Sequence, residues 1–499
     1  MNEINVYNTL TAKKEPLVPR EPGKIGMYCC GPTTYNFIHL GNARPLVVFD
    51  TIRRYLAYKG FDVTYIQNFT DVDDKIINRA NEEGQAPQAL ANHYIEEYFK
   101  DADALGVRRA TVHPTVSGHM KDIIDFVQAL VDKGMAYEID GDVYYSVSKF
   151  KDYGKLSKRN REDLLDGARV GVDERKKEAG DFALWKKAKP GEPFWESPWG
   201  LGRPGWHIEC SAMSHKYLGE SFDIHGGGFD LIFPHHENEI AQSEGRFGKP
   251  MAKYWMHNGF ITVNQEKMSK SLGNFFMLRD ILAKFPGPVV RFYLLSVHYR
   301  SPLDFDDQKL EIAAKGLDRL RTAARLSREV LDRQESQVGV LAQEQPGPAY
   351  AEELVKMRKQ FEDAMDDDFN TALAIAVLFE MARLLNSWNA SAEAPEIAAI
   401  AAGLSQLTEL ADVLGIDLAE DRGGDEEDAE LNHALKALLK ELGGAEAIGI
   451  EKQMAILLAL RESARKAKDF AKSDRIRDGL KSLGILIEDT PQGPRWRRG

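Results

Sequence analysis

The 499-residue chain predicts an α/β fold: a parallel sheet interrupted by an insertion, then a helical bundle and a small mixed unit. Three observations carry this reading. Residues 24–75 run from a short apolar stretch through an amphipathic helical stretch to a second apolar stretch; residues 118–203 break the pattern with short charged pieces; residues 307–416 keep a helical period almost throughout. With 43% hydrophobic residues, a chain of this length buries more than one core.

In chain order, KIGMYCC (24–30) reads as a buried strand closed by a Gly31-Pro32 turn. NARPLVVFDTIRRYLAYKG reads as a helix with Pro45 in its first turn, its arginines on one face, and Gly60 just past its end. FDVTYIQNFTDVDDK supplies a second strand. Strand, helix and strand form a βαβ unit, which requires parallel strands, as in a Rossmann-type sheet, and puts ligand-binding loops at their carboxyl ends, where Cys30 and His39 fall. Residues 118–203 read as an insertion of short helices and a hairpin, AYEIDGDVYYSVS, turning at Asp140-Gly141. The α/β domain is thus divided into 1–117 and 204–263, and a lysine-bearing region follows at 264–306. The bundle spans 307–416, the acidic run DLAEDRGGDEEDAE (417–430) reads as a flexible linker, and 431–499 form the last unit.

Composition narrows the class. The net charge of −12 advertises no polyanion partner globally, although a local basic face is compatible with one. Three cysteines are too few for a disulfide framework and suggest reduced thiols. The opening MNEINVYNTLTAKKEP lacks a signal-peptide layout, and no apolar run approaches the roughly 20 residues of a membrane span. A soluble, cytoplasmic chain with no membrane partner is expected.

Three constellations carry chemistry. GWHIECSAM supplies Cys210, and FPHHENE supplies His235 and Glu239, four apart and so on one helical face, with Cys30 completing a metal-like set. Neighbouring strand residues face opposite ways, so Cys30, at the strand end, joins this set while Cys29 is core. Spacing alone also admits a capping role for the histidines and packing for the cysteines. The second constellation, His39-Leu40-Gly41-Asn42, leads into a helix N-terminus that favours an anion; its alternative is a glycine turn with Asn42 as a cap. In the third, NQEKMSKSLGN, Lys267 and Lys270 flank small residues suited to a triphosphate.

HLGN together with KMSKS resembles the paired signatures of class I aminoacyl-tRNA synthetases. CGPTTYNFIHLGNARP, NFTDVDDKI, RPGWHIECSAMS, DIHGGGFDLIFPHHENEIAQ and KMSKSLGN resemble the cysteinyl-tRNA synthetase family in particular, and the likeness runs through RESARKAKDFAKSDRIRDGL near the carboxyl end. The resemblance implies activation of L-cysteine by ATP with Mg²⁺, then transfer to tRNA(Cys) by a monomer. It implies one Zn²⁺ per chain on Cys30, Cys210, His235 and Glu239, and catalytic roles for His39, Asn42, Lys267 and Lys270. ATP contacts would come from His39, Gly41, Asn42, Gly226, Gly227, Gly228, Asp230, Lys267, Met268, Ser269, Lys270 and Ser271. Thr33, Thr70, Trp206 and His207 would hold the cysteine. Residues 1–117 and 204–263 become the catalytic halves, 118–203 the connective insertion, 264–306 the KMSKS loop and stem-contact region, and 431–499 the anticodon-binding domain.

A synthetase for cysteine has to reject serine and alanine. A soft cation separates a thiol from a hydroxyl, in keeping with the lack of room for an editing domain between 118 and 200. The last forty residues carry Arg461, Arg465, Lys466, Lys468, Arg475, Arg477, Arg495, Arg497 and Arg498 with Phe470 and Trp496, a basic face with aromatic platforms for unstacked bases. The resemblance assigns anticodon contacts there to Arg465, Phe470, Asp474 and Asp489. A mycothiol-pathway cysteine ligase shares the central motifs but lacks this terminal module, and a silent RNA-binding paralogue is the alternative outside catalysis.

Overall fold

The computed structural model describes residues 3–159, 175–263, 266–267, 275–338, 346–390, 397–419, 425–442, 450–490 and 493–498. The chain divides into two units, 1–418 and 419–499. At the centre of the first lies a four-stranded parallel sheet in the order Ala252–Asn258, Phe222–Gly228, Lys24–Cys29, Asp62–Gln67. Its strands are short and mostly buried because both faces are covered. Met27 and Cys29 point into one core with Val47, Phe49 and Ile52 of the crossover helix, while Tyr28 between them points into the other with Ile208 and Trp255. This alternation sends Cys29 to packing and leaves Cys30 at the rim.

The crossover helix spans Leu40–Tyr58, starting earlier than expected, so Pro45 stands in its second turn. Proline has no N–H to offer, and the bond it forgoes is the one to the Gly41 carbonyl, at the edge of the cavity described below. Nor do the arginines share one face, Arg44 turning to the carbonyls of Gly259 and Phe260 and Arg54 to Asp50. Arg44 and Arg54 are buried, and Asp50, fully buried, accepts from Arg54 Nε (2.8 Å), Arg53 Nη2 (2.9 Å) and Arg291 Nη2 (2.8 Å).

Beyond the helix Met120–Asp132, the inserted region forms an antiparallel sheet of Ala136–Ile139, Asp142–Tyr145, Phe182–Lys187 and Gly202–Pro204. Its first hairpin turns at Asp140 (φ 54°) and Gly141 (φ 90°), the two left-handed residues that a two-residue turn of this hand needs. Phe126, Val143 and Trp185 share a core with Tyr28 and Ile208, so the insertion is packed onto the parallel sheet. Four long helices, Asp307–Val338, Pro348–Asp366, Thr371–Asn389 and Ile397–Val413, build the bundle, whose core is continuous with that of the crossover helix. By length and composition, Thr371–Asn389 alone among the described helices is apolar enough to cross a membrane. In the bundle it buries Ala374, Leu378, Met381 and Leu385 against its neighbours.

The acidic run 417–430 is not linker throughout: a helix, Asp425–Glu441, begins inside it. Acidic residues at a helix N-terminus complement the helix dipole, so the charge that reads as disorder also suits a helix start. In the second unit this helix packs with Ile450–Lys466, Phe470–Ser482 and the hairpin Ile485–Thr490/Gly493–Arg498 around Leu439, Leu457, Ile476 and Leu480.

Candidate active site

A cavity of about 400 Å³ opens at the carboxyl ends of the parallel strands, where such sheets bind ligands. Cys30, Cys210 and His235 reach it from one side; His39, Gly41 and Asn42 border it, as do Gly227, Gly228 and Asp230.

Cys30, Cys210, His235 and Glu239 bring one ligand atom each to within 4.8 Å of one another. Cys30 Sγ lies 3.6 Å from Cys210 Sγ and 3.4 Å from Glu239 Oε1, and His235 Nε2 is 3.1 Å from the same oxygen. The sulfurs are too far apart for a disulfide, at about 2.05 Å, and both thiols are free. Cys210 comes from the helix Trp206–Leu218 and Glu239 from the first turn of Glu237–Phe247. His235 belongs to the turn Ile232–His236 that leads directly into that helix; its one extended residue, Phe233 (φ −141°, ψ 133°), lies before His235, so His235 and Glu239 meet four residues apart as the spacing predicts.

Buried among imidazoles, these groups have displaced ionisation. Burial opposes charge on Glu239, yet His225 and His235 bring its carboxyl down to about 2. Burial likewise opposes charge on His235, yet Glu239 and Cys210 hold it up at about 10. Burial and Cys210 push the Cys30 thiol up, whereas Cys210, against its own burial, is lowered to about 6 by its hydrogen bond with Cys30 and by His235.

Three histidines absent from the expected site surround the set. His225 Nε2 is 2.9 Å from Glu239 Oε2. His236 Nε2 is 3.4 Å from Cys30 Sγ, and its Nδ1 is 2.8 Å from His257 Nε2, whose own Nδ1 meets Thr9 Oγ1 at 2.8 Å. Burial and the neighbouring imidazoles hold His236 and His257 (about 3) neutral. Cys30, His225, His236 and Glu239 form a second four-donor group. It fits an ion less well, because ligation through His225 Nε2 would leave a proton on Nδ1, which is buried and has no hydrogen-bond partner. The one sequence signal for this ring is the density of histidines in DIHGGG and FPHHENE.

Of the four residues expected around the cysteine, Thr33, Thr70 and Trp206 line the cavity and His207 does not. His207 Nδ1 instead meets His235 Nδ1 at 3.0 Å, and Trp206 stacks on His235 at 4.4 Å between centroids. Thr33 and Thr70 pair through their backbones, and Thr70 Oγ1 donates to Glu209 Oε2 at 2.7 Å. Burial and Cys210 raise the Glu209 carboxyl well above its usual range.

On the phosphate side, His39 caps the helix Leu40–Tyr58, and its backbone N–H donates to Asn42 Oδ1 at 3.3 Å. Asn42 therefore caps and borders the cavity at once. The three glycines are not equivalent. Gly226 does not line the cavity, and a Cβ there would meet Phe49 at 2.5 Å and Cys29 Sγ at 2.6 Å, so its small size serves the core. One on Gly227 would stand 2.7 Å from the His236 ring. Lys267 lies in a short strand, Glu266–Lys267, whose backbone pairs with Thr262 and Val263. Its side chain, and Met268, Ser269, Lys270 and Ser271, lie outside the described residues.

In the second unit Phe470 is 62% exposed at the start of its helix, a face available for stacking. Asp474 pairs with Arg477 at 3.0 Å, and Arg465 closes the preceding helix. Asp489 lies in the terminal hairpin opposite Pro494; its side chain is outside the described residues. Arg461 is buried, so it leaves the expected basic face, and Trp496 packs partly into the small core.

Residues 16–315 match the family described as "tRNA synthetases class I (C) catalytic domain", and 360–419 match the DALR domain. A solved methionyl-tRNA synthetase of Mycobacterium tuberculosis, described as bound by methionyl-adenylate, aligns with a TM-score of 0.59 at 14% identity over 85% of this chain and 94% of its own, a likeness of fold. Fold and catalytic region thus define a class I aminoacyl-tRNA synthetase. Residues 449–497 match the "Cysteinyl-tRNA ligase anticodon binding domain". The chain is 59% identical to the cysteine–tRNA ligase of Heliobacterium modesticaldum, covering 99% of both, and 58% identical to that of Pelotomaculum thermopropionicum, covering 99% of this chain and 100% of the relative. The chain belongs to the cysteine–tRNA ligase family and is an enzyme that ligates cysteine to tRNA. The sugar-amine ligase and silent-paralogue alternatives give way to this membership.

Proposed function

We propose that the cavity activates L-cysteine with ATP and Mg²⁺, passes it to tRNA(Cys), and selects it through a Zn²⁺ ion held by Cys30, Cys210, His235 and Glu239. The observation that carries this is the four-donor set at the cavity wall. Two thiols, an imidazole and a carboxylate suit a borderline-soft ion, and the other nitrogen of His235 already has a ring partner in His207. Bound there, Zn²⁺ supplies a partner that a cysteine thiol satisfies better than a serine hydroxyl and an alanine methyl cannot satisfy at all.

The chain's own residues do the rest by position and charge. Trp206, stacked on His235 and 40% exposed, shields the sulfur end of the substrate from water. Thr33 and Thr70 border the same half and hold the amino-acid end, and Thr70 is itself oriented by Glu209. His39, Gly41 and Asn42 offer a helix N-terminus to the phosphates of ATP, while Gly228 and Asp230 border the adenosine side. Lys267 and Lys270 are assigned to the developing charge on the α-phosphate from the sequence motif. Arg465, Phe470, Asp474 and Asp489 are assigned to the anticodon, with Phe470 as the stacking platform. A cytoplasmic monomer completes the reading.

The test is cysteine-dependent ATP–pyrophosphate exchange before and after chelation, with zinc counted per chain and mass in solution measured by light scattering. Exchange that follows zinc content, with serine inactive, supports the reading. Full exchange in a zinc-free enzyme contradicts it.

A further inference from the structure

Arg44 sits on the crossover helix Leu40–Tyr58 just beyond Asn42 and has no solvent exposure. Its Nη1 donates to the carbonyls of Gly259 (2.9 Å) and Phe260 (2.8 Å), and its Nη2 to those of Ser301 (2.6 Å) and, more loosely, His298 (3.4 Å). No carboxylate among the described residues pairs with it, its Nε is buried without an acceptor, and burial lowers the guanidinium to about 10. A buried cation ordinarily has a countercharge, because the desolvation it suffers is large.

What this cation holds is a wall of the cavity. Asn258, Gly259, Phe260 and Ile261 all line it, and the wall continues into the strand Ile261–Val263, whose antiparallel partner carries Lys267. Asn258 ends the strand two places across the sheet from the one ending at Cys29, on the order of 10 Å away at about 4.8 Å per strand. The wall therefore serves the half of the cavity away from Cys30. It is also fixed from behind: Gly259 N donates to Tyr299 O at 2.8 Å, and a Cβ on Gly259 would stand 2.6 Å from the carbonyl oxygens of Arg300 and Ser301.

We propose that Arg44 is a positioning residue for nucleotide binding, which turns the Gly259 and Phe260 carbonyls inward, away from the phosphates, and sets positive charge behind the wall that ATP meets. This rests on the reading of the cavity as the seat of ATP and cysteine. Wild-type exchange dependent on both substrates establishes that reading separately, so a failure of the variants falls on Arg44 alone.

The experiment is steady-state exchange on Arg44→Lys and Gly259→Ala, with thermal unfolding as the folding control. Lysine keeps the charge but lacks the planar fork, and alanine displaces the same wall while every charge stays in place. Both variants raise KM for ATP by roughly tenfold, the scale of losing one or two charge-assisted hydrogen bonds, and leave KM for cysteine within about twofold of wild type by the same reckoning. Folded variants with unchanged KM for ATP, or with both KM values moved alike, overturn the proposal. If Arg44→Lys does not fold, Gly259→Ala decides alone, and its failure to fold as well would make the contact a purely structural one and equally overturn it.

Discussion

Trp206 offers a perturbation confined to the sulfur end of the cavity. Its ring lies over that of His235, with centroids 4.4 Å apart and planes 27° from parallel, while 40% of the residue faces solvent. Replacing it with alanine removes a stacked pair worth about 0.5–1.5 kcal/mol. At 1.4 kcal/mol per tenfold, a substrate whose binding depends on the placement of His235 loses about 2- to 12-fold in affinity. Because the side chain is not a core element, the fold persists. Trp206→Ala therefore raises KM for cysteine in ATP–pyrophosphate exchange by that factor, Trp206→Phe restores most of it, and KM for ATP stays put. If KM for cysteine is unchanged in the alanine variant, or KM for ATP moves with it, Trp206 does not act through His235.

Other consequences are as open to measurement. Asp50 is buried and, despite that burial, held below the usual carboxylate range by Arg291, Arg54 and Arg53; its contribution to stability is full above the ordinary carboxyl value near 3.9 and is lost as pH falls towards the depressed one. Asp50→Asn is accordingly less stable at pH 7, by about 3–5 kcal/mol, and loses stability less steeply below about pH 4, as acid unfolding followed by circular dichroism will register. Gly227→Ala drives a Cβ against the His236 ring at 2.7 Å, and that ring touches Cys30; zinc affinity measured by chelator competition falls about 5- to 150-fold, the equivalent of about 1–3 kcal/mol of overpacking. Phe470→Ala removes an exposed ring, proposed above as the platform for an anticodon base, so KM for tRNA in aminoacylation rises about 5- to 150-fold, from about 1–3 kcal/mol per stacked base, while pyrophosphate exchange is untouched.

Local patterns were legible where local physics decides them. Strand alternation separated Cys29 from Cys30, and Asp140-Gly141 announced its hairpin because two left-handed residues in succession suit few other pairs. Cys30, Cys210, His235 and Glu239 converge from a strand end, a helix, an irregular turn and a second helix. Only the last two are near in sequence, so the residues alone offered the four as a metal-like set with packing and capping as alternatives, and the family likeness chose among these. The ring of His225, His236, His257 and Thr9 was illegible for the same reason: each is unremarkable alone, and their meeting is a product of sheet order. Gly226 shows the opposite error, for a triple glycine reads as one surface, yet the pleat turns its first member into the core. Arg44 reads as one of several arginines on a helical face, and its burial depends on carbonyls more than two hundred positions away.

Selection of cysteine, as proposed, rests on sulfur recognised by a sulfur-bound metal. Zinc K-edge absorption on the purified enzyme counts the scatterers directly: two sulfurs from Cys30 and Cys210 in the free protein, three once L-cysteine is added, and two still with L-serine. A sulfur count that does not rise with cysteine, or an active protein with no zinc to measure, contradicts it.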